Sequence, residues 1–135
     1  IRGAAGEPLS VKQEDIHLQG HAMECRINAE DPAHHFRPCP GVIEAIHLPG
    51  GNGVRIDTAA YNGYEIPPFY DSMIAKVIVH GRTRQEAIDK MRSTLGELII
   101  DGVTTNVDFQ YEILDNEDFQ AGEITTDFIP MHFNL

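Results

Sequence analysis

The chain has 135 residues, the size of one ordinary domain with a single hydrophobic core. Apolar residues make up 41% of it, which argues against disorder, and no apolar run approaches the ~20 residues of a membrane-spanning helix. The formal net charge of −11 repels phosphate backbones and anionic lipid, which sets aside nucleic acid and membrane surfaces as partners. The chain opens Ile1-Arg2-Gly3-Ala4-Ala5-Gly6, without Met or a secretory pattern. It reads as the tail of a helix stopped by Gly6, so a piece of a longer polypeptide is expected. Residues 1–19 form a lead-in segment, and residues 20–135 form the domain proper.

The first clear strand covers residues 21–30. Met23, Cys25, Ile27 and Ala29 alternate with Glu24, Arg26, Asn28 and Glu30, which places the two sets on opposite faces. Asp31-Pro32 ends it, and Pro38-Cys39-Pro40-Gly41 is a rigid turn. Val42–Leu48 reads as a second strand, Pro49–Gly53 as a hairpin loop, and Val54–Thr58 as a third strand. Asn62-Gly63 marks a tight turn, and Pro67-Pro68 breaks structure again. Met73–His80 is a fourth, more buried strand. The period then changes: Thr83 and Glu86 fit a capping box, and Ala87, Ile88, Met91, Leu95 and Leu98 share one helical face. Thr105 with Asp108 opens a second helix with Val107, Tyr111 and Leu114 inward, and a less regular tail follows. Strands followed by helices predict an α+β fold, an antiparallel sheet with helices on one face.

The inventory of chemistry is short. Glu24, Arg26 and Asn28 project from one face of a rigid strand. That row suits a site in which a permanent cation stabilises a developing oxyanion or enolate. It equally suits a solvated face with weak ion pairing. Gly50-Gly51-Asn52-Gly53 lacks the Lys-Ser/Thr ending and the helix of a phosphate loop. His17 and His21 have the spacing of metal ligands on a helix, but Gly20 and the following strand argue against a helix there; His34-His35 sits in a loop without a nearby acid–cysteine set, and no serine sits in a nucleophile elbow. Cys25 and Cys39 lack the spacing of a zinc or redox motif and are expected as reduced thiols in a reducing, cytoplasmic compartment.

The run Gly20-His21-Ala22-Met23-Glu24-Cys25-Arg26-Ile27-Asn28-Ala29-Glu30-Asp31-Pro32 resembles the opening strand of the biotin carboxylase C-terminal domain. Pro38–Gly41, Pro49–Arg55, Pro67–Lys76 and Asp101–Asn106 continue the resemblance in order across nearly the whole chain. It implies that residues 1–19 lead in from a preceding ATP-grasp region. It also implies an ATP-dependent ligase in which bicarbonate is activated and CO2 passes to biotin on a carrier protein. ATP and Mg2+ are then bound mainly outside this chain, and the fragment alone is expected to be inactive. Arg26 matches the arginine that contacts the biotin ureido oxygen. Glu24 and Asn28 are candidates to position it, and Thr126 and Asp127 lie in the stretch placed near adenine. Asn52, Arg55 and Asp71 match positions at a homodimer interface. The implied partners are the upstream ATP-grasp domains, the biotin carboxyl carrier protein and a carboxyltransferase. The expected parent is acetyl-CoA carboxylase, at the first step of malonyl-CoA synthesis in fatty acid biosynthesis. The alternatives are a pyruvate or propionyl-CoA carboxylase, or a purely structural dimerisation module.

Overall fold

A computed structural model describes residues 1–133. Its strands are β1 (His21–Asn28), β2 (Glu30–Asp31), β3 (Arg37–Pro38), β4 (Ala45–His47), β5 (Val54–Thr58), β6 (Met73–Gly81) and β7 (Ile99–Asp101). Its α-helices are α1 (Arg84–Glu97), α2 (Val107–Asp115), α3 (Glu117–Ala121) and α4 (Phe128–His132).

The alternation read in the first strand sets the architecture. β1, β6 and β5 form an antiparallel sheet in the order β1-β6-β5. Cys25 and Ile27 of β1 and Ala75, Val77 and Val79 of β6 face inward, onto Ala87, Met91, Leu95 and Leu98 of the α1 region and Leu114 of α2. Ile27, Val77, Val79 and Met91 are fully buried. Each such side chain stabilises the fold by about 1.5–3 kcal/mol. The domain is therefore α+β, with helices on one face of an antiparallel sheet.

Helix α1 starts where the period changes. The Thr83 hydroxyl accepts from the Glu86 amide at 3.2 Å. The Glu86 carboxylate reaches the Arg82 amide, one residue before the cap, so only half of the expected capping box forms. Gly6 ends a short 3-10 turn at φ 83°, as its helix-stop reading requires.

Three expectations are corrected. Pro49–Gly53 is not a hairpin loop: β4 pairs with β7, while β5 pairs with β6, so this segment carries the chain between sheets. Gly53 has φ 73°, and a Cβ there would lie 2.6 Å from the His80 carbonyl oxygen. Its role is close approach to β6, whose His80 amide donates to the Gly53 oxygen at 2.8 Å. The second strand also shrinks from Val42–Leu48 to Ala45–His47. Ile43 is instead buried in a second cluster with Ala29, Ile66 and Ile74, and its amide donates to the Tyr64 carbonyl. The tail expected to be irregular contains α3 and α4. Among the described residues, no helix is long and apolar enough to cross a membrane.

Candidate active-site face

With Cys25 and Ile27 drawn into the core, the pleat turns Glu24 and Arg26 outward. In register, Arg26 lies opposite Lys76 of β6, and Lys76 lies opposite Asp57 of β5. The neighbouring row runs Glu24, Ile78, Arg55. The exposed face of the sheet thus places two cations side by side, with an acid beyond them.

The two arginines of this face are held differently. Arg55 grips Asp57 through both carboxylate oxygens, at 2.8 and 2.6 Å. That hydrogen bonding holds Asp57 below the usual carboxylate range, helped by the charges of Arg55 and Lys76. Arg26 makes no ion pair among the described residues. Its Nε and Nη2 donate to the Met73 thioether sulfur at 3.4 and 3.3 Å. A neutral, weak acceptor orients the guanidinium without spending its charge. Met73 is itself fixed, because its amide donates to the Asp71 carboxylate at 2.8 Å.

The other residues read from the sequence fall as follows. Neither Glu24 nor Asn28 hydrogen-bonds the Arg26 side chain among the described residues; the structure brings Met73 there instead. The Asn28 carboxamide donates to Glu30 at 3.3 Å, and Glu30 also accepts the Ser72 hydroxyl. Asn28 Oδ1 is buried and has no partner among the described residues. Thr126 lines a cavity of about 320 Å³ together with Glu24, Cys25, Gln110, Phe119 and Thr125. Asp127 does not line it; it precedes α4 and makes no capping bond. Asn52 lies in the turn before β5, and Asp71 follows the exposed Phe69 and Tyr70.

Burial, and then the Glu24 charge, push the Cys25 thiol up to about 12, so it is an inert core group. Cys25 and Cys39 are both free thiols. Among the described residues, no group of His, Cys, Asp or Glu side chains converges as a metal site. Met73 and Lys76 do not stand out in the sequence as site residues. The only signal for them is their place on a strand that can pair with β1.

The comparisons with known proteins agree with this geometry. Residues 24–131 match the family model described as the biotin carboxylase C-terminal domain. Biotin carboxylase 1 of Bacillus subtilis is 53% identical over 129 residues, covering 96% of this chain and 29% of the relative. One of the pyruvate carboxylase subunits of Methanothermobacter thermautotrophicus is 54% identical over 129 residues, covering 96% of this chain and 26% of the relative. The chain therefore spans less than a third of the length of these relatives. A crystal structure of the Hydrogenobacter thermophilus 2-oxoglutarate carboxylase biotin carboxylase domain dimer, in complex with MgADP, ADP and bicarbonate, superimposes with a TM-score of 0.95. It is 46% identical, and the match covers 97% of this chain and 29% of that one. The fold, the residues matched and the outward arginine lead to one assignment: the chain belongs to the biotin carboxylase C-terminal domain family.

Proposed function

We propose that this domain supplies the biotin-facing arginine of an ATP- and bicarbonate-dependent biotin carboxylase. The observation that carries the reading is the state of Arg26: outward on a rigid strand, oriented by the Met73 sulfur, beside Lys76, and without an ion pair among the described residues. Carboxylation of the ureido nitrogen of biotin requires loss of its proton, which shifts negative charge onto the ureido oxygen. A guanidinium held beside that oxygen stabilises the enolate with little reorganisation. Lys76, on the same face, adds positive potential. In this reading the chain's own contribution concerns biotin. ATP, Mg2+ and bicarbonate are held mainly by the upstream ATP-grasp domains, and the isolated chain is inactive. The nucleotide and bicarbonate named for the 2-oxoglutarate carboxylase domain support ATP and bicarbonate as ligands of the whole enzyme. Thr126, on the cavity beside Glu24, is the residue of the tail best placed to approach a nucleotide; Asp127 is less well placed.

Biotin arrives on a carrier protein, and the carboxyl group leaves through a carboxyltransferase. The proposed acceptor is acetyl-CoA, which puts the enzyme at the first step of malonyl-CoA synthesis, in the cytoplasm. The similarity to a component of pyruvate carboxylase favours a second acceptor, pyruvate, with the same biotin chemistry. Homodimerisation through Asn52, Arg55 and Asp71 completes the proposal, in line with the dimer named for the 2-oxoglutarate carboxylase domain.

The test is biotin-dependent ATP cleavage, with bicarbonate present, by the full-length carboxylase that carries this domain. Arg26→Ala, checked for folding and ATP binding, is expected to lose about 10²–10³ in rate. Unchanged activity would remove Arg26 from the chemistry and leave the domain a structural or assembly part.

A further inference from the structure

β1 is an edge strand of its sheet, so half of its backbone groups face away from β6. Such an edge is free to shift or to pair wrongly unless something covers it. At one point a single side chain does so. The Asn106 carboxamide donates from Nδ2 to the Arg26 carbonyl oxygen at 3.1 Å and accepts at Oδ1 from the Asn28 amide at 2.9 Å. The partners fix its orientation, since a carbonyl only accepts and an N–H only donates. The Asn106 amide also donates to the Asn28 carbonyl at 3.1 Å. Gln110, one turn along α2, gives the Arg26 carbonyl a second donor at 3.0 Å. Together they supply the bonds a neighbouring strand would make.

Two further facts separate this arrangement from ordinary helix capping. Asn106 occupies the cap position of α2, where Asn commonly accepts from the first helical amides, yet its side chain caps nothing there. It is only 6% exposed, committed to β1. On the other edge of the strand, the β1–β6 register shifts between Ile27 and Asn28. A bulge disrupts the ladder locally and re-aims nearby side chains. The clamp from α2 grips Asn28, where that shift falls, and Arg26 two residues before it.

We propose that Asn106, seconded by Gln110, is a positioning residue for Arg26. It fixes the backbone of β1 at the residue that presents the guanidinium, as Met73 fixes the guanidinium itself. The inference rests on the reading of Arg26 as the biotin-facing arginine.

The experiment is a double-mutant cycle in the full-length carboxylase, reading kcat/KM for biotin and KM for ATP. Asn106→Leu, close in shape, removes both side-chain bonds. A loss of about 10- to 100-fold in kcat/KM for biotin is expected, as for other misplacements of a reacting group, with KM for ATP unchanged. In an Arg26→Ala background the same substitution is expected to change kcat/KM by less than about 2-fold, because the group it positions is gone. A full further loss in that background would overturn the proposal, as would wild-type activity of Asn106→Leu alone. Arg26→Ala without effect would instead sink the reading of Arg26, and the positioning role with it. Should Asn106→Leu fail to fold, Gln110→Leu removes the other donor to the same oxygen from a half-buried site. About a 5-fold loss is expected, absent in the Arg26→Ala background. No loss, or a loss that persists there, counts against the proposal.

Discussion

The sheet has two edges, and they are finished by different means. On β1, the outer backbone at Arg26 and Asn28 is closed by Asn106 and Gln110 from the start of α2, and the outward Arg26 rests on Met73. On β5, no further strand adds to the edge among the described residues, and its outward side chains, Arg55 and Asp57, neutralise each other in an exposed pair. Charged side chains on an edge discourage unwanted pairing, but they hold nothing in place. In sequence the two strands look alike, with charged residues alternating with apolar ones. The difference is tertiary. One edge has its backbone fixed so that a cation stays available; the other spends its cation locally and remains accessible.

The largest effect on this comparison is the loss of about 10²–10³ in rate expected for Arg26→Ala. Next come the core residues beneath the two edges. Ile27 is fully buried under β1, whereas Ile56 of β5 is only partly buried. Ile27→Ala is expected to cost about 2–5 kcal/mol in urea unfolding, and Ile56→Ala clearly less. Equal losses would mean that the β5 edge is as firmly built as the other. Met73→Leu keeps the volume and drops the sulfur acceptor. It is expected to lower kcat/KM for biotin about 3- to 10-fold with little change in stability. Wild-type kinetics would show that the thioether does not orient Arg26. Asp71→Ala, by releasing the Met73 amide, disturbs the same contact, so a change in assembly alone cannot be read from that variant.

The smallest effect belongs to β5. Asp57 has a lowered pKa in the folded state because of Arg55. Its contribution is therefore present above the ordinary carboxylate pKa of about 4 and is lost as pH falls through the lower folded value. Unfolding midpoints at pH 5 and pH 3 are expected to differ less in Arg55→Ala than in the wild type. An unchanged difference would show that the pair contributes nothing.

Much of this is legible from residue order. The alternation of Met23, Cys25 and Ile27 sets the faces of β1, and the outward Arg26 follows from it. The change of period after Gly81 locates α1 and its Thr83 cap. What stays hidden depends on pairing at a distance. Ile99–Asp101 is too short to show a period, so β7 escapes a reading of the sequence, and β4 is assigned the wrong partner across Pro49–Gly53. Local spacing points to Glu24 and Asn28, the strand neighbours of Arg26, as its holders. Met73 comes instead from the paired strand. The sequence marks the start of the second helix by Thr105 and Asp108 and gives Asn106 no role; only its place against β1 shows one.

The tie between Arg26 and Asn106 also dictates an order of events during folding. Asn106 lies 80 residues beyond Arg26, so a chain made from its N-terminus produces the arginine long before the amide that holds it. β1 can pair with β6 and collapse onto α1 in the interval, since those contacts close shorter loops. The edge at Arg26 is finished only when the start of α2 docks. The Arg26 edge is therefore expected to be the last part of the sheet to become rigid, and a ribosome-bound chain ending before α2 is expected to carry the sheet without a fixed Arg26.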